Sequence, residues 1–477
     1  MTEQFKTKYR KVFYPHNYKE ILSMTGHIFL QLFFAAVIAQ INVLLFTWYA
    51  DGEFLALINK ATILFQTIQF IPSLVASGVL VVGGNLVGQG RQKELSKVIT
   101  TRILVNVIIC MLVMVVVETF APEFLSLLTI PKEEMITVHD TWTFNKLNFT
   151  SSYFRINIIQ LLLMSVAQVY IAGLQIIKKQ KHVAIGAIAS NLVDVLVVSM
   201  ILYVFKLNPL YAALGMPSAA LFQLIYMMII NYKDIDYKGQ RIGTLLNMKL
   251  AKEIVKVGLP ITLEMGLWNA CNFAMNSAIS GLYTNDVAQR TELYNIHSAI
   301  IVIINFATVF LQAVATVTSI LVAKKIGEND PDGAFTAGVD GWRIAIYGQV
   351  ILSTLIFALI YPILVYVYGR DADLVIKYGM WLYLIVFVKC IFDTVNMTLL
   401  RSLWAVGDLW TPLLISVVTM VLGMVGLPLL ISNTFNGETG IGLILIYIVV
   451  AMDPISRSII YVHRWFKKKW FKYVKQM

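Results

Sequence analysis

The sequence predicts an all-α integral membrane protein, with twelve transmembrane helices in two six-helix lobes related by pseudo-two-fold symmetry about the membrane normal. Three observations carry that expectation. Hydrophobic residues make up 58% of the 477 and charged residues only 14%, against roughly 45–50% and about 25% in soluble domains. Apolar runs of about 20 residues, the length that crosses the hydrocarbon core, recur along the chain. The two halves also repeat one succession of runs and turn signals.

Turns and charges, read as breaks, place six spans near 21–48, 54–85, 98–118, 152–177, 183–205 and 210–231. Six more fall near 254–282, 294–323, 336–366, 375–403, 411–431 and 441–462. The net charge of +11 comes from basic residues at the two ends and in short loops between apolar runs. Placed so, they set topology and do not form a nucleic-acid-binding face. Lys178-Lys179-Gln180-Lys181 and Lys467-Lys468-Lys469 are the densest clusters, and both fall inside if both termini are cytoplasmic. The outer loops are then acidic, with Asp51 and Glu53, then Glu118, Glu123, Glu133, Glu134 and Asp140, and later Asp371 and Asp373. The expected layout is a basic cytoplasmic N-terminus (1–20), an N-lobe (21–231), a cytoplasmic linker (232–253), a C-lobe (254–462) and a basic cytoplasmic tail (463–477).

The internal repeat rests on turn signals. The second span ends in Gly88-Gln89-Gly90-Arg91 and the eighth in Gly327-Glu328-Asn329-Asp330, about half the chain apart. A second echo pairs the loop around Gln180 with that around Gly407-Asp408. An even number of spans per half gives both halves one orientation, the parallel-repeat arrangement. Cys110, Cys271 and Cys390 each lie inside an apolar run. They form neither a disulfide framework nor a CxxC metal pattern.

Ionisable residues inside spans are costly and mark functional positions by default. Asp194 lies mid-span with Asn191 one turn before it. Protonation or a bound cation would neutralise it and bias the conformational equilibrium; a hydrogen-bonded structural acid is the competing reading. The second half offers Glu264 and Asp393. Lys389, four residues before Asp393, shares its helical face, so an ion pair competes there with a cation site. Asn269, Asn272 and Asn276 form one polar stripe at 100° per residue. Gln66 and Gln69 beside Pro72, and Asn157 and Gln160, give two further polar faces. Together these faces suggest a wet substrate cavity, with interhelical hydrogen bonding as the alternative. His297 reads as a satisfied buried histidine.

In these residues the chain resembles the MATE (multidrug and toxic compound extrusion) family of the MOP flippase superfamily over nearly its whole length. The resemblance rests on Gly88-Gln89-Gly90, Gly327, Asn191-Leu192-Val193-Asp194, Gly215 with Ala219-Ala220, and Gly258-Leu259-Pro260 with Glu264. Leu403-Trp404-Ala405-Val406-Gly407-Asp408 followed by Pro412 completes it, with Trp404 where family members usually carry Arg. The resemblance implies export of organic cations or drugs in exchange for H⁺ or Na⁺. It also implies a cation or proton site at Asp194 whose usual partner, an Asp in the first span, is here Asn42. For a related branch it implies Na⁺ at Glu264 or Asp393, and no other metal.

No HExxH, GxSxG or P-loop appears, so neither an intramembrane enzyme nor an ATP-driven pump is expected. No cofactor is expected beyond the coupling ion. The expected partners are a small organic cation and membrane lipid, and the expected state is a monomer in the plasma membrane. A flippase for lipid or lipid-linked oligosaccharide is the alternative, with Lys389, Arg401 and Arg155 as the basic groups that would favour it.

Overall fold

The computed structural model describes residues 15–16, 18–50, 52–126, 130, 133–139, 141–237, 248–282, 287–435 and 438–474. Among them, ten helices are long and apolar enough to cross a membrane. The chain divides into two compact units, Leu30–Thr262 and Met1–Phe29 with Leu263–Met477. These divisions fall inside α1 (Tyr18–Tyr49) and α8 (Met248–Ser280), because both helices run on through them. Within the expected 232–253 linker, residues 238–247 lie outside the described residues.

The first unit continues with α2 (Gly52–Ile68), α3 (Ser73–Gly88), α4 (Leu95–Ser126), α5 (Lys146–Ile176), α6 (Gln180–Ser199) and α7 (Gly215–Asp234). The expected second span is thus two shorter helices. Pro72 has no N–H to continue the ladder, and the break leaves carbonyls that lipid cannot satisfy. Asn106 resolves this from α4. It is fully buried and its amide donates to Pro72 O at 3.2 Å and Ser165 O at 2.7 Å.

One segment departs from the all-helical expectation. The loop before α5 holds an antiparallel hairpin, β1 (Met135–Val138) with β2 (Trp142–Asn145), pairing Met135 with Asn145 and Val138 with Trp142. Its alternation explains it: Ile136 and Val138 face the core while Met135 and Thr137 face out, the period-2 pattern of a strand with one buried face. These two side chains join Phe46, Tyr49, Phe54 and Ile158 in the unit's core. Asn145 then caps α5, accepting from Asn148 N at 3.0 Å.

The second unit packs α9 (Val287–Gly327), α10 (Pro331–Pro362), α11 (Met380–Ala405) and α14 (Thr439–Phe466) around Ile296, Ile300, Ile360, Leu382, Tyr383 and Ile446. α12 (Trp410–Met420) and α13 (Leu427–Thr434) are joined by a π-helical turn, Val421–Gly426. Small residues bring α9 and α10 together, as in membrane helix pairs generally. A Cβ on Gly341 would lie 2.0 Å from Thr318 Oγ1. Past α14 the chain folds back through α15 (Phe471–Val474), with Trp465 and Trp470 stacked at 4.8 Å and both fully buried.

Candidate functional site

Ala187, Ser190, Asp194 and Val198 recur at three- and four-residue steps and form the buried face of α6. That spacing is one stripe of an α-helix, so the sequence itself turns Asp194 inward, to 7% exposure. From α1, Asn42 Nδ2 donates to Asp194 Oδ2 at 2.6 Å. The other oxygens of the pair, Asp194 Oδ1 and Asn42 Oδ1, are buried with no hydrogen-bond partner among the described residues. Asn191 is half-buried and makes no side-chain hydrogen bond to Asp194.

Gly215, the first residue of α7, makes room for this carboxylate. A Cβ there would stand 2.4 Å from Asp194 Oδ1 and 2.5 Å from Val198 Cγ2. Gly215→Ala is therefore expected to turn the carboxylate away from its present position, at an overpacking cost of about 1–3 kcal/mol. The pH profile of transport in proteoliposomes should move while the melting temperature falls only modestly. An unmoved profile would show that the carboxylate does not depend on this space.

α5 supplies the neighbouring polar groups. Tyr153 is buried within electrostatic reach of Asp194, and the Asn157 side chain meets the Tyr153 hydroxyl. Asn157 Oδ1 and Gln160 Oε1 are buried without partners among the described residues. Buried polar atoms left so in a native structure call for water or an ion. Gln66 on the last turn of α2 and Gln69 just beyond it are exposed.

In the second unit the expected groups separate. Asp393 is held by Lys389, Nζ to Oδ2 at 2.7 Å. Glu264 is buried at 3% exposure and accepts from Ser416 Oγ at 2.5 Å, with Arg457 Nη1 at 3.9 Å. Both carboxylates expected to bind Na⁺ therefore already face a base. Among the described residues no three His, Cys, Asp or Glu gather as a metal would need.

The expected amide stripe is explained by interhelical bonding at one of its three residues. Asn269 and Asn276 donate back to their own helix, to Met265 O at 3.2 Å and Asn272 O at 2.8 Å. Asn276 Oδ1 is also held by His297 Nε2 at 3.0 Å, and His297 Nδ1 by the Tyr447 hydroxyl at 2.6 Å. Asn272 Nδ2 alone is buried without a partner among the described residues. Interhelical bonding thus accounts for Asn276, and His297 is satisfied.

Several buried charges are not marked by the sequence analysis, and two of them are paired on one helix. Asp453 and Arg457 on α14 are 3% and 6% exposed and paired at 2.6 Å. Their i, i+4 spacing inside an apolar run was the available signal, the same one that flagged Lys389 and Asp393. Arg155, weighed as a cavity base, instead meets Glu118, Nε to Oε1 at 3.3 Å.

A model of the MatE family matches residues 28–200 and 260–429, well over half the chain. The chain is 22% identical over 456 residues to the uncharacterized transporter YisQ of Bacillus subtilis (strain 168), covering 95% of each. Its fold is similar to that of the Vibrio cholerae MATE transporter VcmN, solved as a mutant, with a TM-score of 0.80 at 12% identity over 94% of this chain and 96% of that one. It is equally similar to a MOP superfamily transporter from Pyrococcus furiosus, at 0.80 and 13% identity over 96% of each. Identities this low show the fold alone, an all-helical membrane fold in line with the twelve-helix, two-lobe MATE architecture. The family match goes further: this chain belongs to the MATE family and is a multi-pass membrane transporter, not an enzyme.

Proposed function

We propose that the protein is a plasma-membrane antiporter that exports small organic cations in exchange for protons, working as a monomer with both termini cytoplasmic. One observation carries this reading: Asp194 is a buried carboxylate with an amide beside it and no ion-pair partner among the described residues. An Asn can serve both charge states of such an acid. Its NH₂ donates to the carboxylate, and its carbonyl, after the amide turns over, accepts from the carboxylic acid. The nitrogen that now faces Asp194 is a donor, which suits the ionised carboxylate. Release of the proton would leave a negative site for the cationic cargo, and each ligand would favour its own access state.

A second reading has its own support. Arg401, half-buried on α11, donates to Gln312 O and Thr316 Oγ1 and forms no ion pair among the described residues. For the Pyrococcus furiosus transporter, a reversed polarity of the binding pocket suggests a different function. A guanidinium without a counter-ion suits an anionic lipid or lipid-linked glycan, as in a flippase.

Proteoliposomes separate the two. An imposed proton gradient should drive counterflow of a fluorescent organic cation, and an equal Na⁺ gradient should not. Movement of labelled anionic lipid between leaflets with no cation flux would replace the antiporter by the flippase.

A further inference from the structure

The second unit buries more charge than an inert core needs. Glu264 lies on α8, Lys389 and Asp393 on α11, and Asp453 and Arg457 on α14, the last two helices being apolar enough to cross a membrane. Close contacts link them into one network. Arg457 Nη2 meets Asp453 Oδ2 at 2.6 Å and Nη1 lies 3.9 Å from Glu264 Oε1. Lys389 meets Asp393 at 2.7 Å and is also within electrostatic reach of Asp453. Other groups that reach these carboxyls include Ser416 of α12, which donates to Glu264, Tyr461 of α14, which shares a hydrogen bond with Ser416 at 3.0 Å, the Trp404 indole of α11 beside Glu264, and Cys271 of α8 near Asp453. None of these brings a positive charge.

Three carboxyls therefore face two bases. Fully ionised, the network would hold one uncompensated negative charge beside Glu264 and Asp453, both 3% exposed, an arrangement costing several kcal/mol. Two oxygens show where the excess sits: Glu264 Oε2 and Asp453 Oδ1 are buried, on residues 3% exposed, and neither has a hydrogen-bond partner among the described residues. A metal ion fits poorly, because the guanidinium contacts both carboxyls and, among the described residues, no group of three His, Cys, Asp or Glu forms there.

We propose that Glu264 and Asp453, sharing the single guanidinium of Arg457, form a second protonation site that holds one proton between them. The proton adds to one carboxylate oxygen to give a neutral carboxyl; no other bond changes. Because the pair interacts through one guanidinium, the proton belongs to the pair and not to either residue. The site is separate from Asp194, so the transporter carries two ionisable centres, one in each unit.

Infrared difference spectra between acidic and alkaline buffer test this on the purified full-length protein carrying Asp194→Asn, which silences the first centre. A protonated-carboxyl band near neutral pH is expected to persist in that background. It should be lost on adding either Asp453→Asn or Glu264→Gln, so failure of one variant to fold leaves the other. Absence of the band in the Asp194→Asn protein would overturn the proposal. So would its survival when both second-unit acids are replaced, or its removal by Na⁺ in place of K⁺, which would make the occupant a metal cation. None of these readouts uses transport, so antiport at Asp194 can fail without touching this result.

Discussion

Asp194→Asn is expected to reduce proton-driven export to the level of protein-free liposomes while leaving the fold intact. The side chain keeps its size, so the space that Gly215 provides is still filled correctly. What disappears is the charge that a proton can cancel. A ligand shifts a conformational equilibrium only through its differential affinity for the two states, and an amide has none for protons in this range. A tenfold proton gradient is worth about 1.4 kcal/mol per proton. In one-for-one electroneutral exchange the native protein can therefore concentrate its cargo about tenfold, and the variant should stop at equal concentrations. Melting in detergent supplies the control. Removing an unpaired buried carboxylate relieves desolvation, so the variant should melt no lower than the native protein. Undiminished accumulation by a well-folded variant would move the coupling site elsewhere.

How far the sequence anticipates this site depends on the kind of information each residue carries. Asp194 was legible because its burial is local: a helical stripe of Ala187, Ser190 and Val198 turns it inward whatever packs against it. Its meeting with Asn42, 152 positions away, is tertiary, and only the family resemblance pointed to that position. The break in the second span was half legible. Pro72 announces it, but the group that makes it tolerable is Asn106, one polar residue in an apolar run of α4 with nothing local to distinguish it. The hairpin at Met135–Asn145 was hidden for another reason. Two four-residue strands are too short to stand out beside helices of about thirty residues, and composition alone made the loop look merely acidic.

The amide stripe on α8 is a mixed case. Asn269, Asn272 and Asn276 do share a helical face, as periodicity required, yet period says nothing of what lies opposite. His297 and Tyr447 lie opposite Asn276 and hold it in a hydrogen-bonded seam, while Asn272 Nδ2 is buried without a partner among the described residues. Asp453 and Arg457 are i, i+4 neighbours in the last span, and spacing alone does not tell an exposed pair from a buried one. Burial at 3% and 6% decides the matter, and burial is a property of the packed unit.

Arg457→Met should be among the most destabilising single changes in the second unit, lowering stability by about 3–5 kcal/mol in thermal or denaturant unfolding, the range found when one partner of a buried ion pair is removed. Arg457 donates to Asp453 and stands beside Glu264, so its loss strands two carboxylates at once. Methionine fills much of the volume of the side-chain stem, which confines the effect to charge and hydrogen bonding. Removing the pair together should cost far less: in Asp453→Leu with Arg457→Met only Glu264 remains, and Ser416 Oγ still donates to it. The expected non-additivity between the two changes is about 0.5–3 kcal/mol, the range for residues within one network. Arg457→Lys should fall between, because an ammonium keeps the charge but lacks the fork that reaches both carboxylates. If the single variant proved no less stable than the double, Arg457 would be a packing residue, and the charge balance that links α8 to α14 would have to be sought in other groups.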